Sequence, residues 1–316
     1  MPYETLEFPE WSWSHSRRRV FQECPRMYFY QYYGSHGGWE DQAPDVAKLA
    51  YRLKQLSSLP LELGDAVHSS AAFAIQSARS GVGVPTLDTL QTKVRNQLNQ
   101  AYMESKGRAA WERQPRRRKM LQEFYYGTGL SDQSIKDAKE RLELCLTNML
   151  VCESFRQAVA SPYVEVRELE NFVTFPIQDT NIHAMPDLLY RLGDDTWTLT
   201  DWKTGQEKLD EEQMNVYALY VQERHGVRAE NIKARIEWLG GGKANTLTFS
   251  EKELHKCKAN ILDSIESMRN YLTDATTNRP RGRGEFPLRD DTSMCRYCKF
   301  YQLCADEVAS RASGPF

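Results

Sequence analysis

The stretch Pro186-Asp187-Leu188-Leu189-Tyr190-Arg191-Leu192, then Gly193-Asp194-Asp195, then Thr196-Trp197-Thr198-Leu199-Thr200-Asp201-Trp202-Lys203-Thr204 decides how this chain folds. Two apolar, β-branched runs flank a turn of Gly and Asp, which is the pattern of a β-hairpin. Alternate side chains of a strand share a face, so Asp201 and Lys203 lie together and Trp202 points the other way. Closing the hairpin brings Asp187, at the head of the first run, close to Asp201. Adjacent carboxylates repel, and a hard cation such as Mg²⁺ or Mn²⁺ relieves that repulsion while keeping waters free to attack phosphorus. Lys203 beside them is suited to steadying an attacking hydroxide or the charge that builds on a phosphate. The residues therefore point to phosphodiester hydrolysis, although a surface hairpin that carries Asp and Lys has the same spacing.

Three features elsewhere fit the same site. Gly64-Asp65-Ala66-Val67-His68 leads into Ser69-Ser70-Ala71-Ala72, a small-residue helical run whose His68 reaches a metal as neutral imidazole or serves as a structural histidine. Gln213 and Tyr217 are four apart on one helical face, placed to orient the lysine or touch a substrate backbone, while Tyr217 and Tyr220 are equally suited to a core. Cys295, Cys298 and Cys304 cluster near the C-terminus and Cys24 lies near the N-terminus. Closely spaced cysteines without a signal peptide favour metal over disulfides, and four thiolates suit zinc or an iron-sulfur cluster alike. Cys145, Cys152 and Cys257 fall in helical patterns and read as buried apolar residues.

With these residues in view, the chain resembles the RecB-type branch of the PD-(D/E)xK nuclease superfamily, and most of all its iron-sulfur subgroup. That subgroup includes CRISPR-associated exonucleases and the AddB nuclease domain. The likeness runs from Ser14-x-Ser16 and Phe21-x2-Cys24-Pro25-x3-Phe29-x2-Tyr32 to Cys304. It implies an α/β fold, a mixed central sheet flanked by helices in a restriction-endonuclease-like core, with a helical N-terminal half. It also implies a [4Fe-4S] cluster on Cys24, Cys295, Cys298 and Cys304 that joins the two ends, in preference to zinc. His68, Asp187 and Asp201 would be ligands of Mg²⁺ or Mn²⁺, together with the Trp202 main-chain carbonyl. Lys203 would be the catalytic lysine, and Gln213 and Tyr217 the Gln-x3-Tyr motif of the following helix. An acidic residue commonly precedes the Asp187 strand, and Glu165, Glu168 and Glu170 compete for that place. The activity implied is metal-dependent DNA hydrolysis, on single strands or DNA ends. The alternative is a nuclease-fold subunit that binds nucleic acid or a helicase, with weak or no cleavage. Partners implied are DNA and a helicase, CRISPR or repair protein.

Composition sets the remaining bounds. The 316 residues are 41% hydrophobic and 11% aromatic, enough to bury a substantial core. No apolar run is long enough to span a membrane and no signal peptide is evident, so the expectation is a cytoplasmic protein. A net charge of −2 excludes a uniformly cationic nucleic-acid binder, but basic clusters stand at Arg17-Arg18-Arg19, Arg113 to Lys119, and Arg279, Arg281 and Arg283. The first precedes the aromatic run Tyr28 to Tyr33 and is the strongest candidate for contacting a phosphate backbone, while most of those rings are expected to pack. The periodicity predicts a long helix over 132–160, then strands over 164–177, 183–192, 196–204, 232–239 and 246–249. Helices follow over 209–224 and 251–272, and a loop over 273–291. Four successive segments result: 1–60 with the first cysteine, 61–160 with His68, 161–273 as the nuclease core, and 274–316 with the last three cysteines.

Overall fold

A computed structural model describes residues 6–160, 164–193 and 195–312, so Tyr163, where the strand pattern is expected to begin, and Asp194 of the hairpin turn lie outside the described residues. The chain divides into two units, one drawn from 1–56, 109–117 and 261–316 and the other from 57–108 and 118–260.

The larger unit is mixed α/β. Its helical layer contains α1 (Leu59–Arg79), α2 (Leu87–Ser105), α3 (Asp132–Val151) and α4 (Glu153–Ala160). Pro60 occupies the first turn of α1, where its missing N–H costs nothing. Thr86 and Ser131 cap α2 and α3 by accepting from Thr89 N and Ser134 N. Ala66, Ala71 and Ala74 of α1 let it approach Leu90 and Val94 of α2 and Leu142, Leu146 and Met149 of α3 in one buried cluster.

The helix expected over 132–160 is two helices. Cys152 is extended (φ −65°, ψ 154°), so it ends α3 instead of lying within a helix. The cause lies 83 residues away: Glu237, 3% exposed, accepts from Ser154 N at 3.2 Å and Ser154 Oγ at 2.7 Å. A carboxylate on the first N–H groups of α4 favours a fresh helix start over continuation. Cys145 and Cys257 are buried, whereas Cys152 is only partly so.

The strands are β1 (Glu165–Leu169), β2 (Val173–Ile177), β3 (Thr180–Ala184), β4 (Leu188–Arg191), β5 (Trp197–Lys203), β6 (Ile232–Trp238) and β7 (Lys243–Thr248). Two runs that read as single strands are broken. The 164–177 run breaks at Glu170, whose φ of +54° cannot continue a strand. The 183–192 run breaks at Pro186, which has no N–H to give a ladder. The breaks separate the β2–β3 hairpin from a five-stranded sheet of order β1-β4-β5-β6-β7. There β1, β4 and β5 are antiparallel neighbours, β6 runs parallel to β5, and β7 returns antiparallel. The parallel crossover is made by α5 (Glu211–His225), capped by Asp210 and ended by Gly226 at φ +67°. Leu188 opposite Thr200 sets the β4–β5 register, which puts Asp187 next in line to Asp201. Trp202, 1% exposed, lies with Leu188 and Tyr190 in the cluster shared with the helices, on the side away from Lys203.

The smaller unit links early and late segments of the chain. Helices His15–Glu23 and Pro25–Phe29 and the π-turn Tyr30–Gly34 meet residues 271–307 through rings: Phe21 and Tyr271 at 5.2 Å, Phe29 and Phe286 at 5.0 Å, Tyr30 and Phe300 at 5.7 Å. Arg26 donates to Phe286 O at 2.7 Å and pairs with Glu307 at 2.9 Å. The helix expected to reach Leu272 ends at Arg269, and the expected loop contains a short antiparallel pair, Leu272–Asp274 with Arg279–Pro280. Arg17 corrects a second expectation. It is 3% exposed, donates to the hydroxyls of Tyr28 and Tyr33 at 3.1 and 3.3 Å, and stands 4.3 Å from the Tyr32 ring centroid, so it organises the aromatic cluster and is not open to a phosphate backbone. Arg18 is half-buried and Arg19 exposed. Among the described residues no helix is long and apolar enough to cross a membrane.

Replacing Arg17 with Ala should cost about 2–4 kcal/mol, because it removes buried charged hydrogen bonds to the Tyr28 and Tyr33 hydroxyls and a desolvated cation–π contact. Arg19→Ala should change stability by less than about 0.5 kcal/mol. Urea unfolding of the two variants checks both values.

Candidate functional site

The larger unit gathers the candidate residues at one end of β4 and β5. Asp187 and Asp201 are 5% and 2% exposed. Asp187 Oδ2 accepts from Trp202 N at 2.6 Å, and its Oδ1 is 3.3 Å from His68 Nδ1. His68 comes from α1, whose small residues bring the helix close enough for Nε2 to stand 2.9 Å from the Trp202 carbonyl. Lys203 Nζ pairs with Asp201 Oδ2 at 2.8 Å and donates to Gln213 Oε1 at 3.3 Å. Gln213 Nε2 donates to Tyr217 OH at 2.8 Å, and that hydroxyl donates to Met185 O at 2.9 Å. Tyr220 takes no part in this chain and donates instead to Glu168.

Of the three acids left open in sequence, Glu170 is the one that lies beside His68 and Asp187. Its carboxylate is 3.4 Å from His68 Nδ1 and its N–H donates to Asp187 O at 3.0 Å. Glu165 pairs with Arg167, and Glu168 accepts from Tyr220. The positive φ that breaks the strand turns the Glu170 side chain to the site, and sequence carries no signal for that backbone state in a glutamate. Among the described residues, His68, Glu170 and Asp187 form a group whose ligand atoms all lie within 4.8 Å of one another. Asp201, expected as a direct partner of His68 and Asp187, is not in that group, and its Oδ2 pairs with Lys203.

The electrostatics reflect crowded acid. Burial and then Asp187 push Asp201 up to about 7. Burial raises Glu170 as well. For His68 burial favours the neutral ring, but Asp187 and Glu170 outweigh it and raise its pKa well above the usual imidazole value. A proton on His68 thus offsets part of the negative charge. Two buried oxygens, Glu170 Oε1 and Asp201 Oδ2, have ion-pair neighbours but no aligned hydrogen-bond donor. Unaligned carboxylate oxygens, one imidazole and a main-chain carbonyl fit a hard divalent cation such as Mg²⁺ or Mn²⁺.

In the smaller unit Cys24, Cys295 and Cys304 are buried and Cys298 is partly so. Burial raises the pKa of Cys295, Cys298 and Cys304 most, and a thiolate at Cys24 would raise all three further, so the four sulfurs share one neighbourhood. Burial pushes Cys298 up to about 12 and Cys304 up to about 11. Met27 N and Phe300 N donate to the Cys24 and Cys298 sulfurs at 3.4 Å. The donor set fits a thiolate-bound metal centre.

A mixed sheet that presents buried acids, an imidazole and a lysine at one strand end is the arrangement of a metal-dependent hydrolase. Residues 12–305 match the sequence model of the PD-(D/E)XK nuclease superfamily, and the chain belongs to that superfamily. Membership indicates metal-dependent nuclease activity with DNA as the substrate class. No curated protein matches the sequence.

The raised carboxylates and the raised His68 act in the same direction on stability. Asp201 and Glu170 bind protons in the folded state that they release when unfolded, so metal-free stability falls as pH rises above about 4. His68 contributes stability at low pH that is lost as pH rises through its elevated pKa. Metal-free protein should therefore melt lower at pH 8 than at pH 6, and the Tm gained from added Mg²⁺ or Mn²⁺ should grow over that interval. Asp201→Asn should raise the metal-free Tm at pH 8; thermal melts in chelator and in metal check both.

Proposed function

We propose that the protein is a RecB-type, metal-dependent deoxyribonuclease that hydrolyses phosphodiesters in single-stranded DNA or at DNA ends, with a structural [4Fe-4S] cluster on Cys24, Cys295, Cys298 and Cys304. The observation that carries this reading is the convergence of His68, Glu170, Asp187, Asp201 and Lys203, with two carboxylate oxygens left without aligned donors. His68, Glu170, Asp187, Asp201 and the Trp202 carbonyl would hold Mg²⁺ or Mn²⁺, which when bound supplies an acidified water and positive charge against the phosphate.

The protein's own part is positioning. Asp187 is locked by the Trp202 N–H, so its remaining oxygen keeps one direction. Lys203 is held between Asp201 and Gln213, and the Tyr217 hydroxyl fixes the Gln213 amide. An ammonium placed in this way meets charge that develops on the phosphoryl oxygens or the leaving group without reorganising. Gln213 and Tyr217 are positioning residues, since each acts through Lys203. The preference for single strands and ends rests on the resemblance to the RecB-type branch. A cytoplasmic role beside a helicase, CRISPR or repair protein is part of the same reading.

Protein purified without oxygen should degrade 5′- or 3′-labelled DNA only with Mg²⁺ or Mn²⁺. Asp201→Ala and Lys203→Ala should each lower cleavage by roughly 10³-fold or more. Wild-type rates in both variants would remove the assignment. Gln213→Ala should lower kcat and leave KM for DNA within about twofold. Cys298→Ser should abolish the brown absorbance and lower Tm, because the cluster closes a very long loop. A colourless, zinc-containing wild type would replace the iron-sulfur centre with zinc.

A further inference from the structure

A groove of about 1180 Å³ in the smaller unit runs between residues 38–52 and 109–117, outside the cysteine centre and outside the unit that carries the carboxylates. One wall is a tight turn against helix Asp45–Lys54. Gly38 is so close that an added Cβ would stand 2.2 Å from the Ala47 carbonyl, and Gly37 has φ +69°. This turn carries Trp39, which is 48% exposed and meets Tyr51 edge to face at 5.7 Å. The other wall follows the fully buried Trp111 and presents Arg113, Arg116 and Arg117, all exposed. Lys48 and Arg52 add charge, so five cations and three acids line the groove and the balance is positive. The basic run around Arg281 and Arg283 differs, since these two pair with Glu285 and Glu307.

We propose that this groove is a binding site for single-stranded DNA, with Trp39 stacking on a base and Arg113, Arg116 and Arg117 contacting the phosphate backbone. Three properties select that ligand. An exposed indole beside a second ring is a platform for an unstacked base, whereas duplex bases turn their faces to one another. Three exposed guanidinium groups lining one groove suit the repeated phosphates of a nucleic-acid backbone. The volume exceeds the roughly 300–1,000 Å³ typical of small-molecule pockets, which favours a strand over a free nucleotide. The site stands on its own chemistry and its test uses no cleavage, so its failure is distinguishable from failure of the nuclease reading.

The test is fluorescence anisotropy of full-length protein with a labelled oligothymidylate of about 20 nucleotides in chelator, over a range of salt. Arg113→Glu, Arg116→Glu and Arg117→Glu combined should weaken binding and flatten the slope of log K against log salt by about 2 or more, as three phosphate contacts are removed. Trp39→Ala should weaken binding by roughly 5- to 100-fold with little change in slope. All four side chains are exposed, so matching thermal melts are expected, and hydrolysis of bis(p-nitrophenyl) phosphate should be unchanged in both proteins. Unchanged affinity and slope in the triple variant, or unchanged affinity in Trp39→Ala, would overturn the proposal. So would equal affinity of the wild type for duplex of the same length.

Discussion

Asp187, just before β4, and Asp201, on the neighbouring β5, are nearly fully buried, and two carboxylates are stable there only if donors and cations meet them. Each is met differently: Asp187 by the Trp202 N–H and His68, Asp201 by Lys203. Trp202 enforces this division. Its indole belongs to the cluster shared with Leu188 and Tyr190, and a slip of one residue would drive Asp201 and Lys203 into that apolar layer. Hydrophobic burial on one face therefore fixes the register that concentrates charge on the other. The same residue uses its N–H to orient Asp187 and its carbonyl to meet His68.

The rest of the larger unit supports that strand end from three sides. Alanines on α1 allow the helix to lie close enough for His68 to reach the Trp202 carbonyl. The parallel crossover through α5 returns Gln213 and Tyr217 to Lys203, and the hydroxyl of Tyr217 is tied to Met185, just before the break at Pro186. Glu170 enters through a backbone state of about 1–3 kcal/mol strain for a non-glycine residue, held by its bond to the Asp187 carbonyl. Strain concentrated beside crowded acid marks a place where stability is given up for geometry.

Much of this was legible in the residues. The hairpin, the shared face of Asp201 and Lys203, the opposite face for Trp202 and the pairing of Gln213 with Tyr217 follow from periods of two and four, which are local properties. What escaped depends on distant partners. Nothing near Cys152 announces that Glu237 will start a new helix at Ser154, nothing near Glu170 announces a left-handed turn, and nothing near Arg17 separates a buried hub from a surface cation. Arg17 is the instructive case: a triplet of arginines reads as a solvated face, yet one member in three points inward to tyrosines supplied by the following helices.

The smaller unit poses a different problem, since three separate pieces of chain build it. Its early and late pieces are joined by Arg26 with Glu307, Tyr33 with Asn278, and stacked rings, all of which require the two pieces to be together already. The cysteines divide in the same way, three in the late piece and Cys24 in the early one. In the proposed centre the late piece alone offers an incomplete ligand set, so completing the centre and docking the early piece become one event. Loop-closure entropy grows only slowly with length, so the long intervening chain adds little further cost. The middle piece, 109–117, lies outside this coupling. It is pinned by the fully buried Trp111 and carries exposed arginines that line the groove.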